Sequence, residues 1–144
     1  MQFSLKNQET RLVISCIIGN AVEWYDFIIY GYFAPLLGQI FFPASNKYSQ
    51  LMYSFGILAA GFIARPLGAV LFGHIGDKSS RLIALMLSMY VMAIPTTLIG
   101  CLPTYQQIGI MAPLLLTILR IIQGLAIGGE FTSSMVFLID SLLN

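Results

Sequence analysis

The chain has 144 residues, of which 58% are hydrophobic and only 9% charged, with a formal net charge of +1. A soluble domain carries roughly 25% charged residues, so this chain lacks the polar groups to cover a surface facing water, and a sheath of lipid is its natural solvent. Its seven Lys and Arg are scattered rather than clustered, which offers nucleic acid no basic field.

Four apolar segments follow one another at residues 12–37, 51–75, 82–102 and 111–138. Each reaches the roughly 20 residues that cross a hydrocarbon core. Each must also satisfy its backbone polar groups internally, which predicts an all-α membrane protein with four transmembrane helices. Lys6 and Arg11 precede the first segment as a signal peptide's basic region would, but no small-residue cleavage pattern follows, so it reads as a retained span. Within it Gly19, Glu23, Asp26 and Tyr30 recur at the four, three, four spacing that lines one helical stripe. Pro43 and Asn46 then mark a turn.

The second segment carries a comparable stripe of Gly61, Arg65 and Gly68, with Pro66 directly after the arginine. Pro35, Pro66 and Pro95 each remove an internal hydrogen bond and can bend their spans. Residues 73–81 read as a turn, in which His74 is a solvated or hydrogen-bonded loop residue rather than a base. Residues 103–109 read as another turn. In the fourth segment Arg120, Gln123 and Glu130 share an arc, flanked by Gly124 and Gly128, a spacing that lets membrane helices approach closely. Lys6, Arg11, Lys78 and Arg81 flank alternate ends of the spans, which places both termini and the middle turn in the cytoplasm.

Glu23, Asp26, Arg65, Arg120 and Glu130 therefore lie inside hydrocarbon-spanning stretches, where a charge costs roughly 2.5 to 3.5 kcal/mol and marks a functional site by default. Counted from the cytoplasmic ends, a rise of about 1.5 Å per residue puts Glu130, Arg65, Glu23, Asp26 and Arg120 at about 12, 15, 17, 21 and 27 Å. Arg65 is then level with Glu23 and Glu130, and Arg120 has the reach to meet Asp26. Buried pairs that only lock helices together would look the same. Three acids against two arginines nevertheless leave one carboxylate in excess, and an acid in low dielectric is suited to taking up and releasing a proton. Cys16 and Cys101 read as small packing residues, and no spacing of His, Cys, Asp or Glu calls for a metal or other cofactor. No nucleophile, base and oxyanion donor come together as an enzyme would need.

The runs Gly19-Asn20-Ala21-Val22-Glu23-Trp24-Tyr25-Asp26-Phe27, Gly61-Phe62-Ile63-Ala64-Arg65-Pro66-Leu67-Gly68 and Arg120-Ile121-Ile122-Gln123-Gly124 leading to Gly128-Gly129-Glu130 resemble the metabolite:proton symporters of the major facilitator superfamily. Their proline/betaine and α-ketoglutarate transporters are closest in pattern. The turn at 73–81 is similar to that superfamily's loop between helices two and three, matching at Gly73, Asp77, Lys78 and Arg81, with Ser80 in place of the usual glycine. In the family that loop latches the inward side. Asp140 is then either the partner of Arg81 or a solvated acid.

The resemblance implies a multi-pass transporter of the bacterial inner membrane, moving protons and a small organic solute such as proline, betaine or an organic acid. Glu23, Asp26 and Glu130 would couple proton or substrate, and Arg65, Arg120 and Gln123 would serve as charge partners or bind a carboxylate. Family members have about twelve spans around a midplane site. These 144 residues correspond to the first four. The expectation is an amino-terminal piece, inactive alone unless a separate polypeptide supplies the remaining helices. Two other readings stay open: a complete four-helix dimeric multidrug exporter using Glu23, and a non-transporting membrane scaffold.

Overall fold

The fold is known from a computed structural model, which describes the backbone of residues 2–43 and 46–143 and the side chains within them, except those of 2–13, 15, 16, 81, 82 and 131–143. The expectations that rest on Lys6, Arg11, Cys16, Arg81 and Asp140 lie outside the described side chains. Five helices follow in order: α1 Gln2–Phe41, α2 Lys47–Lys78, α3 Arg81–Gly100, the single turn α4 Tyr105–Ile108, and α5 Met111–Leu143. The expected spans at 12–37, 51–75 and 111–138 fall inside α1, α2 and α5, and the one at 82–102 overruns α3 by two residues, since that helix ends at Gly100.

Among the described residues, Lys47–Lys78, Ile83–Gly100 and Met111–Glu130 are long and apolar enough to cross a membrane. The described part of α1 is not among them. It carries Asn20, Glu23 and Asp26, and part of the preceding apolar run falls outside the described side chains.

Helix α5 is the hub. It packs most extensively against α2, then against α3, with α1 lying across α2. The α2 and α5 backbones come together because glycines face each other. A Cβ at Gly128 would overlap the Arg65 carbonyl, and one at Gly68 would overlap the Leu125 carbonyl. The spacing that suggested close approach is used in this way. At one end of the bundle Phe41, Ile57, Ala112 and Leu116 form a buried cluster covered by Leu37, Ile99 and Leu102. By contrast α1 exposes Trp24, Tyr25, Ile28 and Tyr32, apolar surface that only lipid or another helix can cover.

The connections correct two expectations. Residues 73–81 are not a turn throughout: α2 continues through Gly73, His74 and Asp77 to Lys78, and only Ser79 and Ser80 leave the helix. The helix persists because neither Gly73 nor Gly76 takes a positive φ. The Ser79 N–H still donates to the Ile75 carbonyl at 2.9 Å. Ser80 is extended at φ −164° and ψ 141°, which any residue adopts, so serine replaces glycine there without strain. The segment 103–109 contains α4, held by a capping box in which the Thr104 N–H donates to Gln107 Oε1 at 3.2 Å. Gly109 closes it with a φ of 62°, the one positive value among the described residues. Helices α1, α2 and α3 run unbroken through Pro35, Pro66 and Pro95.

Candidate functional site

The stripe on α1 is the spine of the site. Glu23 meets α2, where Arg65 Nη1 lies 3.2 Å from Glu23 Oε1. One turn on, Asp26 meets α5, where Arg120 Nη1 donates to Asp26 Oδ2 at 2.8 Å. The outer pair expected from depth and helical phase is present, and of the two acids expected level with Arg65 it is Glu23 that meets it. A further turn on, Tyr30 lies beneath the Arg120 guanidinium, 3.9 Å from its carbon to the ring centroid, and donates its hydroxyl to the Ser54 carbonyl at 3.2 Å. The ring face supplements the one carboxylate that a buried guanidinium would otherwise depend on.

The two pairs differ in their surroundings. Arg120 is 7% exposed. The Arg65 side chain keeps 29% of its surface and stacks on Phe62 at 4.1 Å, so it is the more accessible cation. Between the pairs is a cavity of about 20 Å³, lined by all four charged side chains, Gln123 and Gly124. Beside the Glu23–Arg65 pair opens a cleft of about 360 Å³, walled by Asn20, Glu23, Trp24, Arg65, Pro66 and Ile127. It has the size and the mixture of apolar walls and few convergent polar groups that small-molecule sites show.

Gln123 belongs to this centre. It is buried, and its Nε2 donates to Thr96 Oγ1 on α3 at 2.6 Å. Glu130 does not join Arg65 and Glu23 as its depth suggested. The height was right but the azimuth was not: its Oε1 lies against Gly19 and close to Met89, with no hydrogen-bond partner among the described residues. It lines a separate groove of about 340 Å³ with Gly19, Val22, Met89, Met92 and Thr96. Gly73, Asp77 and Lys78 fall on the last turns of α2, away from the ion pairs, and among the described residues nothing lies within 4 Å of where a Gly73 Cβ would be. Among the described residues no three potential metal ligands come together.

Tyr30, Trp24 and Thr96 were not singled out as site residues from sequence. Tyr30 had a signal, its place four residues after Asp26 on the same stripe. Trp24 is adjacent to Glu23 in sequence, and its place in the cleft wall depends on the packing of α1 beside Arg65 and Pro66 of α2. Thr96 carried none, being one hydroxyl in an apolar span.

A family model described as sugar (and other) transporter matches residues 12–140. The chain is 39% identical over 130 residues to the glycine betaine/proline/ectoine/pipecolic acid transporter OusA of Dickeya dadantii, covering 90% of this chain and 26% of that protein. It is 41% identical over 138 residues to the alpha-ketoglutarate permease of Escherichia coli, covering 93% of this chain and 32% of the relative. It is 42% identical over 132 residues to a putative proline/betaine transporter of Staphylococcus aureus, covering 91% and 28%. The chain thus spans about a quarter to a third of the length of these relatives. No solved structure matches it.

Proposed function

Because the chain belongs to the sugar (and other) transporter family of the major facilitator superfamily, we propose that it forms one wall of a proton-coupled symporter for a small organic solute. The solute is a zwitterion such as proline or betaine, or an organic acid. The observation that carries this reading is the pair of ion pairs at 3.2 and 2.8 Å along one stripe of α1, bordering a cleft of about 360 Å³.

Arg65 is the carboxylate-binding group in this reading. Its guanidinium is accessible and held by one acid, so a solute carboxylate can displace Glu23 and take up the same fork. Trp24 offers its ring to the cationic end of a zwitterion in the same cleft. Asp26 is the proton-coupling acid. While ionised it holds Arg120; once protonated it can no longer balance that charge, and the α1 to α5 contact is freed to rearrange. Glu130, in its own groove, is a second acid available for proton uptake.

The same proposal puts the chain in a bacterial inner membrane with both termini cytoplasmic, acting with further helices, since one wall encloses no pathway. Membership of this family takes the place of the reading as a four-helix dimeric exporter. The test is a chimera carrying residues 12–140 in place of the matching stretch of the E. coli proline/betaine transporter, which is 38% identical, in a strain without other proline or betaine uptake. Uptake that is abolished by Arg65→Leu is expected. Uptake indifferent to Arg65→Leu in a chimera present at normal level would overturn the assignment.

A further inference from the structure

Each arginine of the site is held by a carboxylate and an aromatic ring, but the partners are divided between the helices in different ways. Arg120, on α5, takes both from α1: Asp26 at 2.8 Å and the Tyr30 ring at 3.9 Å. Arg65, on α2, takes Glu23 from α1 at 3.2 Å, whereas its ring is Phe62, three residues earlier on its own helix, with the centroid 4.1 Å from the guanidinium carbon. A movement of α1 away from its neighbours therefore strips Arg120 of the acid and the ring together. Arg65 keeps its ring.

The Phe62 ring is itself fixed. Phe27 of α1 meets it in a T-shaped contact, with 5.0 Å between centroids and 83° between planes, and Trp24 meets Phe27 in the same way at 6.4 Å and 84°. Trp24 and Arg65 both wall the cleft of about 360 Å³, and Phe62 is not among its walls. The row Trp24, Phe27, Phe62 thus runs behind the cleft from its aromatic wall to its cation. The contact between Phe62 and Arg65 also spans the turn of α2 that Pro66 weakens, since Pro66 has no N–H to give the Phe62 carbonyl four residues back.

The chemistry of the holding group matters as much as its position. A second carboxylate beside Arg65 would compete for the N–H groups that an incoming carboxylate needs. A ring face attracts the cation through its quadrupole instead. It holds the guanidinium and leaves the fork of N–H groups to be exchanged between Glu23 and a solute.

We propose that Phe62 is the positioning residue of the carboxylate-binding Arg65: it keeps the guanidinium in place on α2 while Glu23 lets go and the solute carboxylate takes over. The inference rests on the transport reading of the cleft and adds to it a residue that acts through Arg65 without touching the solute.

Fluorination of the ring tests it, because each fluorine weakens the negative face while leaving the shape of the ring nearly unchanged. Mono-, di- and trifluorinated phenylalanine are placed at position 62 of the chimera described above, and uptake of radiolabelled proline and betaine is measured against concentration. KM should rise with each fluorine, by about threefold to tenfold over the series, at an unchanged maximal rate. Arg65→Leu in the same chimera separates the two levels of the argument. Uptake indifferent to Arg65→Leu overturns the transport reading and this proposal with it. Uptake lost in Arg65→Leu but with a KM that does not respond to fluorination overturns this proposal alone. So does a maximal rate that falls along the series at constant KM, the mark of a ring that only supports the fold.

Discussion

Replacing Asp26 by Asn removes the one carboxylate that balances Arg120 and leaves the guanidinium in place. Arg120 is 7% exposed and cannot reach solvent from where it sits. Its remaining support is the Tyr30 face at 3.9 Å, worth about 0.5 to 2 kcal/mol. Removing one partner of a buried pair typically costs about 3 to 5 kcal/mol, because the survivor stays buried and uncompensated. Asp26→Asn is therefore expected to destabilise the bundle by about 3 kcal/mol, the lower end of that range, the ring supplying part of the difference. Arg120→Met alone should cost less, and Asp26→Asn with Arg120→Met should recover most of the loss, since no charge is then stranded. Unfolding in mixed micelles of rising SDS fraction measures all three, followed by the fluorescence of Trp24, the only tryptophan in the chain. Single substitutions whose costs simply add in the double variant would refute the reasoning, because independence means the pair does not act as a unit.

The other pair should behave differently. Glu23→Gln is expected to cost about 1 kcal/mol or less in the same assay, because the Arg65 side chain is 29% exposed and can turn toward the cleft. Gly128→Leu should destabilise by about 3 kcal/mol or more and separate α2 from α5, since its side chain would meet the Arg65 carbonyl; cysteine cross-linking between the two helices reads the separation. Gly73→Ala, where among the described residues nothing lies within 4 Å of the added Cβ, should instead be neutral or stabilise by up to about 1 kcal/mol. Tyr30→Phe should cost about 1 kcal/mol by losing the bond to the Ser54 carbonyl while keeping the ring under Arg120, and Tyr30→Leu should cost clearly more.

Much of this site is legible in the sequence because charges are scarce in the spans. With two arginines and three acids at that depth, a rise per residue and a helical phase are enough to match Arg120 to Asp26 and to narrow the partner of Arg65 to Glu23 or Glu130. Depth fixes only one coordinate, however. Glu130 stands at the height of Arg65 but turns toward Gly19 and Met89, and its direction depends on how α5 rotates between α2 and α3, which helical periodicity within one segment does not set. Thr96 was invisible for the same reason: its role exists only because Gln123 reaches it from another helix. The glycines at 73 and 76 read as a turn, yet helix breaking is a preference of about 1 kcal/mol per glycine, which the continuing hydrogen-bond ladder of α2 outweighs until Ser79. The one-turn helix α4 was hidden in a segment whose proline and glycine signal only its two ends.

The central claim, that Asp26 and Arg120 form the proton-coupled element of a transport wall, is tested most directly by proton movement. A pH-sensitive dye enclosed in proteoliposomes of the chimera should report acidification of the lumen when proline or betaine is added, and Asp26→Asn should abolish that signal while binding of radiolabelled solute is retained. Proton entry that persists in Asp26→Asn at the wild-type rate would contradict the account.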